Sequence, residues 1–280
     1  MHYLYLKLKG KNMTEFSKDF KFKKQFGQNF ILDKNFMSSL VRDFNLDNKT
    51  LVLEIGAGAG VLTEVLSENF KKVISFEIDK TLTEHLKNIE SNHNNLNFVF
   101  KDILSVETQE IDNMFEGQNY VLIANLPYYI TSQIIFKFLF ESNVSKMYVM
   151  VQKEVGVRFC AKNSTKDYGI PTVLIDSFGS CKIVRNVSRT VFKPIPNVDS
   201  CIIKIEKDKN KFDIGQPQKY INFVSNSFKM KRKTLYNNLT TAGYDKEKVV
   251  SSIKDLGLTE TVRPENLTAE QFVLLFNKLN

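Results

Sequence analysis

The sequence predicts an α/β protein: a parallel sheet covered by helices on both faces, followed by a small all-α unit. Three observations carry that expectation. From about residue 50, short β-branched runs alternate with segments of helical periodicity, the pattern of strand–helix–strand units. The loop Gly56-Ala-Gly-Ala-Gly60 follows the first such run and opens a helix, as at the carboxyl edge of an open sheet. Beyond residue 208 the periodicity is helical throughout. The chain has 280 residues, 42% hydrophobic and 25% charged, which is ordinary globular composition for one or two domains and excludes a disordered or collagen-like chain.

Leu51–Ile55 is a buried-strand run, and the helix after the glycine loop extends to about residue 69. Residues 73–78 form a second strand and 80–90 a helix; 97–100 and 120–124 are the third and fourth strands. A helix over 131–140, a fifth strand over 147–151 and a helix over 153–160 follow, with further strand candidates at 182–187 and 201–205. The charged stretch 204–211 reads as a linker, and helical patterns near 217–229, 231–240, 246–256 and 268–279 make the all-α unit. The chain thus divides into an arm (1–24), a sheet domain (25–207) and a helical domain (208–280), with Met13 as an alternative start. No apolar run approaches the roughly 18–20 residues needed to span a bilayer. Lys7, Lys9 and Lys11 interrupt the N-terminal apolar residues, so no signal-peptide core forms. Cys160, Cys181 and Cys201 are too few and scattered for a disulfide framework or a zinc site. These features imply a cytosolic chain with reduced thiols, no metal and no membrane association.

The net charge of +8 is unevenly spread. Residues 1–34 carry a net of +5, residues 35–184 a net of −4, and residues 185–280 a net of +7. One Lys-rich cluster is most simply a solvated face. Two clusters flanking a mildly acidic middle favour a polyanion, because neutralising phosphates releases counterions. Nucleic acid is the expected partner, with Lys18, Lys21, Lys23 and Lys24 on the arm and Lys229, Lys231, Arg232 and Lys233 beyond it as phosphate contacts.

Alone, the glycine loop is compatible with NAD, FAD or S-adenosylmethionine. Its glycines permit a tight turn and close approach of a ligand, with Gly56 and Gly58 as contacts. Glu77 ends the second strand, where a carboxylate can accept both hydroxyls of a ribose, and Asp102 follows the third, where an adenine amino group is met. The end of the fourth strand decides for the methyl donor. There Asn125 and the Leu126 backbone carbonyl, directed by Pro127, can accept both protons of an adenine amine, and Tyr128 offers a face on which the base stacks. Two acceptors favour a pyramidal nitrogen and free its lone pair, so catalysis is orientation plus electrostatics, without a general base at the nitrogen.

These residues make the sequence recognisable. It resembles the ribosomal RNA adenine dimethyltransferases of the small-subunit type. The blocks carrying the likeness are Lys24-Gln-Phe-Gly-Gln-Asn-Phe-Ile31, Leu53-Glu-Ile-Gly-Ala-Gly58, Asn125-Leu-Pro-Tyr-Tyr-Ile-Thr131 and Val151-Gln-Lys-Glu154. Phe192-Lys-Pro-Ile-Pro-Asn-Val-Asp-Ser200 and Phe228-Lys-Met-Lys-Arg-Lys-Thr-Leu235 extend it, so the match runs from about residue 20 to the end.

The resemblance implies a Rossmann-like class I methyltransferase sheet. It further implies S-adenosylmethionine-dependent N6,N6-dimethylation of two adjacent adenosines in the 3′-terminal hairpin of 16S rRNA. The partner is then a small ribosomal subunit or its precursor, met by a monomer that also serves subunit biogenesis. Carried over by position, Asn29 and Ile31 lie against the cofactor, Gly56 touches its methionine part, Glu77 its ribose, Asp102 its adenine, and Asn125 both cofactor and target. Phe192 faces Tyr128 across the target base, where stacking offsets part of the cost of unstacking it. Ile31 stands where the family usually has Leu, and Asn197 replaces a common Lys. The rivals are the related 23S rRNA enzymes, a non-enzymatic assembly factor on the same fold, and an NAD-dependent oxidoreductase. The last leaves the 125–128 motif unexplained.

Overall fold

The computed structural model describes residues 30–280. Seven strands form one sheet in the order β3-β2-β1-β4-β5-β7-β6. They are β1 (Leu51–Ile55), β2 (Lys72–Phe76), β3 (Leu96–Val99), β4 (Tyr120–Asn125), β5 (Val144–Gln152), β6 (Gly179–Val187) and β7 (Ser200–Lys207). β1 to β5 pair in parallel, with the order reversing between β1 and β4. The expected parallel sheet holds over these five strands and needs correction at one edge. There β7 runs antiparallel to both β5 and β6. A parallel return is usually made by a crossover helix, whereas the loop 188–199 between β6 and β7 holds only one 3-10 turn, Arg189–Val191.

Alternation along the strands assigns each side chain to a face. Val52, Val73 and Val121 point to one side, where α1 (Lys34–Asp43), α2 (Val61–Asn69) and α3 (Thr83–Glu90) cover them. Leu53, Ile74 and Leu122 point to the other, under α4 (Thr108–Met114), α5 (Thr131–Glu141) and α6 (Lys153–Phe159). Strands buried on both faces read as near-continuous apolar runs, and Leu51–Ile55 is legible without alternation although Glu54 interrupts it. Asp33 starts α1 by accepting from the N–H groups of Asn35 and Phe36 at 2.9 and 3.0 Å. The same helix is anchored to the sheet through Phe44, which stacks on Tyr148 and accepts its hydroxyl proton at 2.9 Å.

The second strand stops at Phe76, short of Glu77. The Glu77 carboxylate accepts from the backbone N–H groups of Ile78 and Asp79, turning the chain away from the sheet. The predicted helix over 80–90 divides into a 3-10 turn, Lys80–Leu82, and α3. The linker expected at 204–211 begins four residues late, because 204–207 belongs to β7. The charges there are strand charges: Lys204 pairs with Glu206 on the outer face while Ile203 and Ile205 are fully buried on the inner one.

After β7 come α8 (Pro217–Ser227), α9 (Leu235–Thr241), α10 (Lys246–Asp255) and α11 (Ala269–Leu279). Residue 208 falls at the end of β7, yet the helical core is not self-contained. Tyr168, Val173 and Leu174, the last two on α7 (Ile170–Phe178), join Tyr220, Phe223 and Phe276 in one buried cluster. The two parts are packed together through α7.

Candidate active site

The site lies at the carboxyl ends of β1, β2 and β4, where the strand order reverses. Gly56, Gly58 and Gly60 all have left-handed backbones, with φ of 82°, 56° and 80°. At Gly58 glycine is needed twice over, for that φ and because a Cβ there would sit 2.5 Å from Phe30 Cε1. The loop is fixed by Gly56 N–H donating to Phe76 O at 2.8 Å and Gly60 N–H donating to Ala57 O at 2.9 Å.

Glu77 holds the loop from the next strand. Its Oε2 accepts from Gly58 N–H at 2.8 Å, and its Oε1 accepts from Ile78 and Asp79 N–H, each at 2.8 Å. Burial raises its pKa, opposed by these three backbone donors. A carboxylate offers about four lone-pair sites, and three are engaged. Glu77 is therefore loop support as well as a candidate ribose ligand. Asp102 begins the 3-10 turn Ile103–Ser105, its Oδ1 accepting from Leu104 N–H at 2.9 Å.

Glu54, which sequence reasoning leaves without a role, lies beneath the loop. It is fully buried, and its Oε2 accepts from Thr63 on α2 and Ser75 on β2, both at 2.6 Å. Its Oε1 is the one buried side-chain oxygen or nitrogen without a partner among the described residues. Burial pushes its carboxyl up to about 7, with the charge of Glu77 adding to the rise. A protonated Glu54 ties α2 and β2 to β1 without placing a second buried charge behind Glu77.

Asn125, Leu126, Pro127 and Tyr128 leave β4 and border the same cavity as Gly56, Gly58, Glu77 and Asp102. Pro127 O accepts from Ile130 N–H at 3.3 Å and from Thr131 Oγ1 at 3.1 Å, closing the turn. The Tyr128 hydroxyl is hydrogen-bonded to Ser200 Oγ at 3.0 Å, across to the start of β7. Ile31 is buried in the cavity wall. Asn29 and the arm lysines Lys18, Lys21, Lys23 and Lys24 lie outside the described residues.

Phe192 is placed differently from the expectation. It is 1% exposed, in the core cluster that also holds Phe30 and Met150, and it does not border the cavity. Its neighbour Lys193 is bridged in antiparallel fashion to Phe30, which holds this segment beside the same core cluster. In this arrangement Phe192 is a core aromatic without a free face for a base.

Lys229, Lys231, Arg232 and Lys233 all lie exposed in the turn between α8 and α9, and none of them borders the cavity. The buried side chain of Asn238 pins the turn, accepting from Met230 N–H at 2.7 Å and donating to Met230 O at 3.3 Å. No ion pair engages any of the four among the described residues. No helix of the described residues is long and apolar enough to cross a membrane, and no cluster there suits a metal ion.

A glycine loop, two acids on successive strand ends and an amide–proline–tyrosine turn facing one cavity suit a nucleoside cofactor beside an amine acceptor. Comparison with known proteins agrees. The model of the family described as ribosomal RNA adenine dimethylase matches residues 19–280. The chain belongs to the ribosomal RNA adenine dimethylase family. It is 40% identical over 261 residues to the ribosomal RNA small subunit methyltransferase A of Caldanaerobacter subterraneus subsp. tengcongensis, covering 92% of this chain and 97% of that one. Its identity to the protein of the same name from Bacillus mycoides is 39% over 268 residues, 93% of this chain and 92% of that one. Among solved structures, a dimethyladenosine transferase from Plasmodium falciparum superposes with a TM-score of 0.73 at 26% identity, over 87% of this chain and 94% of that one. The 23S rRNA methyltransferase ErmE gives 0.69 at 25% identity, over 90% of this chain and 99% of that one. The dimethylase family thus accounts for the sheet, its antiparallel end and the helical unit together.

Proposed function

We propose that this dimethylase transfers methyl groups from S-adenosylmethionine to N6 of two adjacent adenosines in the 3′-terminal hairpin of 16S rRNA, within a small ribosomal subunit or its precursor. The observation carrying the reading is that Asn125, Leu126, Pro127 and Tyr128 open onto the cavity that also holds Glu77 and Asp102. Relatives named as small-subunit enzymes, at 39–40% identity, favour the small subunit over the 23S target of ErmE.

The cavity fits the cofactor chemically. Gly56 and Gly58 admit a ligand against the backbone, Glu77 accepts from a ribose, Asp102 meets an adenine, and Ile31 supplies an apolar wall. Asn29 joins this set by position in the family motif. When bound, the cofactor supplies a methyl group on a positively charged sulfur. The protein's own residues prepare the acceptor. The side-chain carbonyl of Asn125 and the backbone carbonyl of Leu126 accept the two N6 protons, holding the nitrogen pyramidal with its lone pair aimed at the methyl group. Pro127 fixes the direction of the turn, and Tyr128 stacks on the base, kept upright by Ser200. A nitrogen–carbon bond forms as the carbon–sulfur bond breaks, and one N6 proton leaves to water in each transfer.

Affinity for the RNA is assigned to Lys229, Lys231, Arg232 and Lys233, and to Lys23 and Lys24 of the arm. Primer extension across small- and large-subunit rRNA from cells lacking the protein tests this reading, since dimethyladenosine stops the polymerase. Loss of the paired stop near the 3′ end of 16S rRNA is expected. An unchanged small-subunit pattern with a stop lost from 23S rRNA would assign it to the other substrate.

A further inference from the structure

Tyr129 and Ile195 are the most exposed large hydrophobic side chains among the described residues, at 66% and 62%. Tyr129 follows Tyr128 on the turn that borders the cavity, and Ile195 stands on a loop tethered to the cavity wall. That loop, between β6 and β7, is tied to the wall through Phe30 and Lys193 and to Tyr128 through Ser200. Neither loop is slack. Ile195 stands between Pro194 and Pro196, whose rings fix their own φ, and Arg189 Nη1 donates to Asn197 O at 3.2 Å just beyond. The turn below Tyr129 is closed by the two hydrogen bonds to Pro127 O. Apolar side chains at the rim of a cavity can cover an apolar part of its ligand, and loops held in place beforehand reduce the ordering cost of doing so.

Resting on the methyl-transfer reading, we propose that Tyr129 and Ile195 hold the second of the two adjacent adenine bases while the first reacts at Asn125. A base that leaves the stack strips its neighbour of a stacking partner, and a flat purine then needs a new apolar face. Tyr129 supplies a ring for one side and Ile195 an aliphatic edge. The chemistry of the product favours this kind of subsite over a polar one. Once the first adenosine is dimethylated, its N6 has no proton to donate, so a subsite built on that hydrogen bond would reject it with a buried acceptor left unpaired. Stacking and apolar contact accept the base before and after modification. The clamp therefore lets both adenosines be modified in either order.

The test uses the full-length protein and small subunits from cells lacking it, with position-resolved mass spectrometry of the RNA and calorimetry of cofactor binding. Tyr129→Ala is expected to lower kcat/KM for the subunit by ~5- to 150-fold, the effect of removing one stacked base, and Ile195→Ser to lower it by a smaller factor. Tyr129→Phe, which keeps the ring, restores it, and the cofactor Kd of Ile195→Ser stays at the wild-type value. Wild-type rates at both adenosines in both variants would overturn the clamp while leaving the methyl-transfer reading intact. So would a fall in cofactor affinity matching the fall in rate, which assigns the ring to the cofactor cavity alone. A wild-type protein transferring no methyl group to the subunit would overturn the reading itself, and the clamp with it.

Discussion

The backbones of Phe30 and Lys193 are joined by reciprocal hydrogen bonds, Phe30 N–H to Lys193 O at 3.0 Å and Lys193 N–H to Phe30 O at 2.8 Å. This bridge links the chain beside the glycine loop to the loop that carries Phe192 and Ile195. The wall of the cavity and this loop are therefore tied directly together.

Gly58→Ala tests that coupling. The new Cβ would meet the Phe30 ring at a left-handed φ of 56°, a strain of order 1–3 kcal/mol. A lower Tm and weaker S-adenosylmethionine binding are expected together. Normal values of both, by calorimetry and thermal unfolding, would show that the ring moves aside freely.

Glu77 serves both the loop and the candidate ribose contact, so Glu77→Ala should cost more than one function. Loss of the charge-assisted hydrogen bond its remaining lone pair can accept from a ribose is expected to weaken cofactor binding by about 1.5–3 kcal/mol. Removing the acceptor for Gly58 N–H should also lower stability in the absence of cofactor. Unchanged cofactor affinity would remove Glu77 from the site.

Glu54 gives a pH dependence with a definite sign. Its folded pKa of about 7 lies above the ordinary 4.5, so the folded state binds the proton more tightly. The stability this contributes is complete below about pH 4.5 and is lost as pH rises towards about 7, by up to ~3 kcal/mol. Glu54→Gln should lack that slope. Urea unfolding at pH 5 and pH 7.5 measures it, and a wild-type-minus-variant difference that is equal at both values contradicts the buried, protonated carboxyl.

Under the proposed function, the basic turn allows RNA attraction to be tested apart from chemistry. Every phosphate left without its cation should reduce the salt slope of subunit binding by about one unit. Replacing Lys229, Lys231, Arg232 and Lys233 with Gln is expected to weaken and flatten binding while cofactor affinity stays unchanged. An unaltered slope would make the turn an ordinary solvated surface.

Much of the architecture is legible in the sequence because its signals are local. β1, β2, β4 and β5 are strand-length, largely buried runs, and the glycine loop, Glu77, Asp102 and the 125–128 turn follow strands that periodicity places to within about two residues. What periodicity misses depends on tertiary contacts. α7 carries a β-branched run, Ile170-Pro-Thr-Val-Leu-Ile175, that packs as a helix between the sheet and the C-terminal core. The antiparallel end of the sheet is a matter of connection geometry rather than composition. Phe192 has the motif of a stacking face, and only the bridge between Lys193 and Phe30 reveals the ring as core. Glu54 lies within a run read as a buried strand, but how its carboxyl is accommodated there has no local sign, because its partners Thr63 and Ser75 come from two other elements.

The most direct test of the account is methyl transfer by wild type and Asn125→Ala on small subunits from cells lacking the protein, read by mass spectrometry of the RNA. Wild type should produce dimethyladenosine at both adjacent positions. Asn125→Ala should remain folded and bind the subunit, yet transfer no methyl group, because the amine is no longer held pyramidal. Turnover by Asn125→Ala near the wild-type rate would contradict the proposed mechanism.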